Sequence, residues 1–225
     1  MKEFNKVLGG LFGVACGDAL GATLEFLSKE EGFNKYGYLK EIIGGGFFNV
    51  KPGEITDDTE MTIAVAKGIL EEPFMPWKTI GNYFLNWYDS NPRDIGNTVR
   101  FAMDEYLSCK NWAEAAYRTN NRLLGKSGGN GSLMRCIPVG LYYDEIDMVK
   151  SISKIQSGLT HYAGEAALAC EIYCTLVYEY LRNSSKMDVM EKTLESYPIY
   201  KVVFNMKKED LKPTGYVVDT LLCAL

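Results

Sequence analysis

Apolar residues recur at helical spacing along most of this chain, and no stretch shows a convincing alternation of apolar and polar residues. Met61, Val65 and Ile69 share one helical face, which predicts a helix that begins at 56 or 57 and ends near 71. The same spacing predicts helices over residues 76–90, 95–107, 112–119, 133–143, 144–156, 162–182 and about 187–195. A single all-α domain over residues 1–225 is therefore the simplest prediction.

The composition excludes several classes of protein. Hydrophobic residues make up 47% of the 225-residue chain, which gives enough apolar area for a folded core and excludes disorder as the main state. The 24 basic and 29 acidic residues give a net charge of −5, whereas a protein that wraps nucleic acid needs a basic face. No apolar stretch is long enough to span a bilayer, so we expect no membrane contact.

Cysteine and histidine usage indicates a reducing compartment. The six cysteines include no C-x-x-C pair, and the chain has only one histidine, so neither a disulfide scaffold nor a zinc site is expected. The apolar run over residues 7–17 resembles a signal peptide, but it is short, rich in glycine and ends at Asp18. We therefore expect a cytoplasmic protein whose cysteines are buried free thiols.

A stripe of glycines marks the N-terminal segment. Gly9, Gly13, Gly17 and Gly21 recur every four residues, so on a helix they share one face. Such a face allows close approach of another backbone in tight helix–helix packing, or of a ligand near Asp18.

A doubled acid opens the predicted helix near residue 57. Asp57 and Asp58 lie between Thr56 and Thr59, and Glu60 follows. These residues could simply cap the helix, because Asp57 and Glu60 have the spacing of a capping box. Capping needs only one acid, however, and carboxylate and hydroxyl oxygens suit a hard cation such as Mg²⁺, Mn²⁺ or Ca²⁺.

Two further junctions carry polar residues. Residues 128–134, which we call the glycine-rich loop, could be a plain turn or could bring backbone N–H groups to a phosphate or sugar. Asp94 and Asn97 would share the first turn of a helix, where Asp94 could be only an N-cap. His161, the only histidine, could be a structural hydrogen-bonding residue rather than a functional one.

Together, these junctions resemble the ADP-ribosylglycohydrolases, the relatives of dinitrogenase reductase-activating glycohydrolase. The matching segments occur in the family's order between residue 7 and about residue 180. The TDDT and GNGSLMR motifs are specific in combination, although neither is specific alone. The segments are residues 17–25 (GDALGATLE), 51–59 (KPGEITDDT), 94–98 (DIGNT), 128–135 (GGNGSLMR) and 160–161 (TH).

The resemblance implies a compact orthogonal all-α domain with two Mg²⁺ or Mn²⁺ ions in a cleft. It implies that Thr56, Asp57 and Asp58 are metal ligands and that Glu25 is a mobile acidic residue near the metals. Asp94 would line the ribose and the scissile bond, so Glu25 and Asp94 are the predicted catalytic acids.

The resemblance also implies that the ligand is ADP-ribose or an ADP-ribosylated protein. Asn97 would line the ribose beside Asp94, and His161 would lie near the substrate. The pyrophosphate would be held by the glycine-rich loop, through Gly128, Gly129, Asn130, Gly131, Ser132 and Met134.

One family motif has no counterpart in this sequence. Relatives carry a second acidic motif near the C-terminus, roughly Asp-x-Asp-Thr, whereas the nearest match here, Asp219-Thr220, lies in the apolar stretch 217–225. We therefore expect a C-terminally short form that binds at most one metal ion tightly and turns over weakly or not at all. Apolar surface on the glycine stripe or around 217–225 should remain uncovered, which favours self-association or a covering partner segment. The alternative is a catalytically degenerate ADP-ribose or nucleotide-binding protein on the same fold.

Overall fold

Helices account for the regular structure of the computed structural model, which describes residues 4–183 and 185–225, without the side chain of Lys186. Short 3-10 helices cover Asn130–Ser132, Lys201–Asn205 and Lys208–Asp210. The α-helices in the described residues are α1 (Phe4–Gly21), α2 (Lys29–Tyr36), α3 (Asp57–Glu71), α4 (Trp77–Asp89), α5 (Asn97–Cys109), α6 (Trp112–Arg122), α7 (Ile137–Tyr142), α8 (Ile146–Gly158), α9 (Gly164–Tyr180), α10 (Lys186–Glu195) and α11 (Val217–Ala224). The prediction of an all-α fold is confirmed.

Helices that follow one another in the chain pack together in pairs around the core. α3 packs against α4, α5 against α6 and α8 against α9, while α7 also contacts α9. Two of these contacts need glycine: a Cβ on Gly68 of α3 would lie 2.5 Å from the backbone nitrogen of Ile80, and one on Gly140 of α7 would lie 2.7 Å from the carbonyl oxygen of Cys174. At both positions a side chain would force the paired helices apart.

One helix has no apolar spacing that would predict it. α2 is short and mostly polar, but a capping box begins it: Ser28 Oγ accepts a hydrogen bond from the Glu31 backbone N–H, and the Glu31 carboxylate accepts one from Ser28 N–H. The S-x-x-E pattern is the signal in the sequence that identifies this helix.

The glycine stripe of α1 does not serve tight helix packing within the described residues. A Cβ added at Gly9, Gly13, Gly17 or Gly21 would meet no atom within 4 Å. α1 contacts α3 and α7 through its other side, where Ala19 is buried. The stripe therefore lies on an open face, beside Phe12, which is 60% exposed.

The cysteines differ in burial, and Cys109 is intermediate. Cys136, Cys170 and Cys174 are buried free thiols, as predicted, whereas Cys16 and Cys223 are exposed. None of the helices in the described part of the chain has the length and apolar character that crossing a membrane would require.

Candidate functional site

A carboxylate from α1 caps the helix that carries the doubled acid. Asp18 Oδ2 accepts hydrogen bonds from the backbone N–H groups of Thr56, at 2.9 Å, and Thr59, at 3.2 Å. Both threonine hydroxyls also donate to Asp18, Thr56 Oγ1 at 2.7 Å and Thr59 Oγ1 at 2.5 Å. Asp18 therefore satisfies the free N–H groups at the start of α3 and complements the positive end of its dipole.

Capping by Asp18 leaves the acids of α3 itself available. Thr56 stands at the N-cap position without a side-chain capping hydrogen bond. Glu60 accepts a hydrogen bond from Trp87 Nε1 at 2.6 Å, so the predicted capping box between Asp57 and Glu60 is wrong. The interpretation of Asp57 and Asp58 as simple caps loses its basis, and the other interpretation, a cation site, remains.

Four carboxyl groups, which we call the acidic cluster, influence one another: Glu25, Asp57, Asp58 and Asp94. Burial, together with the neighbouring charge of Asp57, raises the pKa of Asp58 to about 7. Burial also raises the pKa of Glu25 to about 7, again with contributions from Asp57 and Asp58. Burial is the largest cause for both groups, and the charges of the neighbouring carboxyl groups add to it.

The carboxyl groups of Asp57 and Asp94, which come from two different segments, influence each other. Burial is the main cause that raises the pKa of both carboxyl groups. Because two facing carboxylates repel, the pair retains a proton more readily than either group would alone. Asp94 lies outside α5, whose N-cap is Gly96, so the prediction of Asp94 as a helix cap is wrong.

The donor chemistry of this region fits a hard divalent cation. Carboxylate oxygens predominate, and Thr56 Oγ1 keeps its lone pairs because its hydrogen is donated to Asp18. A cation would offset the repulsion that raises the pKa values of the cluster. Within the described residues, however, no three His, Cys, Asp or Glu side chains already converge in an arrangement that could hold a metal ion.

The glycine-rich loop is tied to the segment that precedes α11. Gly128 O accepts a hydrogen bond from Val217 N–H at 3.0 Å, and Asn130 N–H donates to Gly215 O at 3.0 Å. A cavity of about 400 Å³ lies beside the loop and is lined in part by Gly128, Gly129, Glu165 and Tyr216. The loop therefore has both a fixed backbone and adjacent space for a ligand.

Two predicted donors of this loop are used inside the protein. Ser132 is fully buried, and its hydroxyl accepts a hydrogen bond from Ser157 Oγ at 2.8 Å. Asn130 Nδ2 donates to Thr220 Oγ1 at 3.2 Å. Within the loop, Asn130–Ser132 form a 3-10 helix rather than the start of an α-helix. Binding by this loop would therefore depend on its backbone more than on these two side chains.

His161 lies beneath the loop. The side chain is 2% exposed, and a Cβ on Gly131 would lie 3.4 Å from His161 Nε2. The start of α5 reaches the same place, because a Cβ on Gly129 would lie 3.7 Å from Thr98 Oγ1. Asn97, the first residue of α5, is exposed.

One threonine connects the acidic cluster with the loop. Thr62 Oγ1 donates to Asp58 O at 2.7 Å and lies 3.5 Å from Met134 O. The structure thus brings the predicted residues into two adjoining groups. Asp18, Thr59 and Arg135 also belong to this region. The sequence pattern predicted a ligand near Asp18 as one alternative, but it assigned no role to Thr59 or Arg135.

Comparison with known proteins agrees with this fold. The family model of the ADP-ribosylglycohydrolases matches residues 1–225, and the chain belongs to that family.

One relative is the ADP-ribosyl-[dinitrogen reductase] glycohydrolase of Rhodospirillum rubrum, which is 38% identical over 137 aligned residues. The aligned residues cover 61% of this chain and 44% of that protein. The ADP-ribosylarginine hydrolase Tri1 of Serratia proteamaculans is 29% identical over 100% of this chain and 62% of its own length. The chain thus spans less than two thirds of these relatives. A solved structure of an ADP-ribosylglycohydrolase-related protein complex superposes with a TM-score of 0.80 at 29% identity, over 98% of this chain and 74% of that one.

Proposed function

We propose that this chain is a metal-dependent hydrolase that removes ADP-ribose from a modified protein or a small ADP-ribosyl conjugate. The observation that carries the proposal is the acidic cluster, whose pKa values are raised by burial and mutual repulsion, beside a glycine-rich loop with an adjacent cavity. Carboxyl groups with perturbed pKa values are typical of active sites, and cavities are typical of ligand-binding sites. The relatives described above are ADP-ribosyl hydrolases, which supports the same reaction.

Thr56, Asp57 and Asp58 would hold the metal through oxygen atoms at the start of α3. A bound Mg²⁺ or Mn²⁺ would supply charge stabilisation and lower the pKa of a bound water. Asp18 fixes the backbone of this turn, because it accepts hydrogen bonds on both sides of the doubled acid. The chain itself therefore provides a rigid helix start from which the ligands project.

Glu25 and Asp94 would transfer the proton at the glycosidic bond. A carboxyl group with a pKa of about 7, as burial gives Glu25, can both hold and release a proton near neutral pH. Either acid would move a proton at the glycosidic bond while positive charge develops on the ribose carbon. The glycine-rich loop would bind the pyrophosphate remote from this bond and so position it.

The test is a release assay combined with metal-dependent melting. Asp57→Asn with Asp58→Asn should abolish both release of ADP-ribose from an ADP-ribosylated protein and the rise in melting temperature that Mg²⁺ or Mn²⁺ produces. A matched control is Asp147→Asn with Asp188→Asn, since both acids lie in the first turns of other helices. If the double variant at 57 and 58 keeps the metal-induced shift of the wild type, the metal assignment is wrong.

A second function, binding of ADP-ribose without hydrolysis, is favoured by one observation. No three acidic, histidine or cysteine side chains in the described residues converge for a metal. Such a protein would act as a reader of ADP-ribosylated partners in the cytoplasm. Calorimetric binding of ADP-ribose without release in the assay would distinguish it from the hydrolase.

A further inference from the structure

Arg135 is a buried cation whose partners are neutral. It is 0% exposed, its guanidinium carbon lies 4.2 Å from the centre of the Phe84 ring, and Nε donates to Gln156 Oε1 at 3.1 Å. One terminal nitrogen donates to Gln156 O at 3.1 Å and to Thr160 Oγ1 at 2.8 Å. Among the described residues no carboxylate forms an ion pair with Arg135. Burying a charged arginine costs free energy. The role of Arg135 must therefore be sought in the hydrogen bonds that it donates.

Thr160 links Arg135 to His161, because its hydroxyl contacts both side chains. Its Oγ1 lies 2.8 Å from His161 Nδ1. A hydroxyl has one hydrogen and two lone pairs, and a guanidinium can only donate, so Arg135 occupies a lone pair. Among the described residues His161 Nδ1 is the acceptor within reach of the hydroxyl hydrogen, whereas a proton on Nδ1 would leave that hydrogen without a partner. The contacts therefore favour donation from Thr160 to Nδ1, with the imidazole proton on Nε2.

The other ring nitrogen of His161 has no partner. His161 Nε2 is buried and forms no hydrogen bond within the described residues. It faces the glycine-rich loop, where a Cβ would lie 3.7 Å away on Gly129 and 3.4 Å away on Gly131. Burial and the charge of Arg135 both lower the pKa of His161, to about 3, so the ring is neutral at physiological pH. A buried donor without a partner requires an explanation.

We propose that Arg135 and Thr160 are positioning residues that hold His161 as the neutral Nε2–H tautomer beneath the glycine-rich loop. In this state His161 offers one hydrogen-bond donor and accepts no proton at Nε2. The group it fits is an oxygen acceptor of a ligand bound at the loop. The identification of that ligand as ADP-ribose rests on the proposed function, whereas the tautomer does not.

The tautomer can be measured directly, because His161 is the only histidine. In protein labelled with ¹⁵N-histidine, the wild type without ligand should show one protonated nitrogen, Nε2, and one unprotonated nitrogen, Nδ1, at neutral pH. Thr160→Val keeps the shape of the side chain but removes the hydroxyl, so the tautomers should become mixed or Nδ1 should become protonated. Thr160→Ser keeps the hydroxyl and should retain the wild-type pattern. A wild type with a proton on Nδ1, or a Thr160→Val variant with the wild-type tautomer, would overturn the proposal.

ADP-ribose binding gives a second readout on the same variants. Thr160→Val should weaken binding about tenfold, since one oriented hydrogen bond is lost, and Thr160→Ser should restore it. Folding of each variant is checked by circular dichroism, and the conservative serine variant separates lost orientation from lost structure. If the wild type shows the expected tautomer and yet does not bind ADP-ribose, the proposed function fails and the positioning of His161 stands.

Discussion

At the scale of single residues, the site depends on where buried polar groups find partners. Asp18 accepts four hydrogen bonds at the start of α3, and this frees Asp57 and Asp58 from capping. His161 is buried as a neutral ring beside the charge of Arg135. Both arrangements bring together residues that lie far apart in the sequence.

The buried histidine predicts a dependence of stability on pH. Since the folded pKa of His161 lies below its ordinary value of 6.5, the unfolded chain takes up the proton more readily, and stability is lost as pH falls below about 6.5. Relative to His161→Gln, the wild type should lose about 2 kcal/mol of unfolding free energy between pH 7.5 and pH 5. Urea denaturation at both pH values measures this difference, and the carboxyl contributions shared by both proteins cancel. Parallel pH profiles would show that His161 is protonated inside the folded protein.

Gly129 offers a prediction for ligand binding. Its φ of −67° is open to any residue, and an added Cβ would make only ordinary contacts, at 3.7 Å or more. Gly129→Val should therefore fold, but its branched side chain should keep ADP-ribose away from the loop backbone and weaken binding at least tenfold, or by roughly 1.4 kcal/mol. Calorimetric titration gives the affinity. Gly125→Ala is unsuitable as a control because the φ of Gly125 is +82°. Gly164→Ala, at an open position on α9, is the better control. Equal affinity of Gly129→Val and the wild type would remove the loop from the site.

At the scale of elements, α1 shows what a sequence pattern can and cannot establish. The four-residue repeat of glycine predicts that these residues share one face if the segment is helical, and α1 is such a helix. It cannot show whether another element covers that face. In the described structure nothing does, so the expectation that this face favours association stays a prediction.

Alanine substitution distinguishes an open glycine face from a covered one. Gly13→Ala should raise the free energy of unfolding by about 0.5–1 kcal/mol, because alanine favours the helix and its Cβ meets no atom. Gly68→Ala should lower it by about 2 kcal/mol, because α3 and α4 would have to separate. Thermal unfolding with light scattering measures both stability and association. A destabilised Gly13→Ala protein would show that a second chain packs on α1 in solution.

At the scale of the whole molecule, the sequence predicted the helices better than their contacts. The acids of α3 and the glycine-rich loop were identified from residue types, since carboxylates and glycines restrict the chemistry locally. Other features depend on long-range packing, which no local pattern encodes. They are the capping of α3 by Asp18, the proposed role of Arg135 and the burial of Ser132. The sequence-based expectation of at most one tightly bound metal stays a prediction, to be measured by elemental analysis.

A distant backbone contact gives the prediction at this scale. Val217 is the first residue of α11, where proline is tolerated, and its N–H donates to Gly128 O. Val217→Pro should remove this tie and weaken ADP-ribose binding between twofold and about tenfold, the range expected for one hydrogen bond. Val217→Ala is the matched control, because it removes buried side-chain atoms but keeps the N–H. Equal affinities in the two variants would show that the tie does not shape the loop.

The tie between Gly128 and Val217 also bears on how the site forms during synthesis. A ribosome releases the chain from its N-terminus, so Asp18, Glu25, the start of α3 and Asp94 can all meet before Val217 has been made. The glycine-rich loop acquires its backbone partner only afterwards. In a growing chain, therefore, the acids of the cluster can come together before the loop that faces the cavity gains its backbone partner.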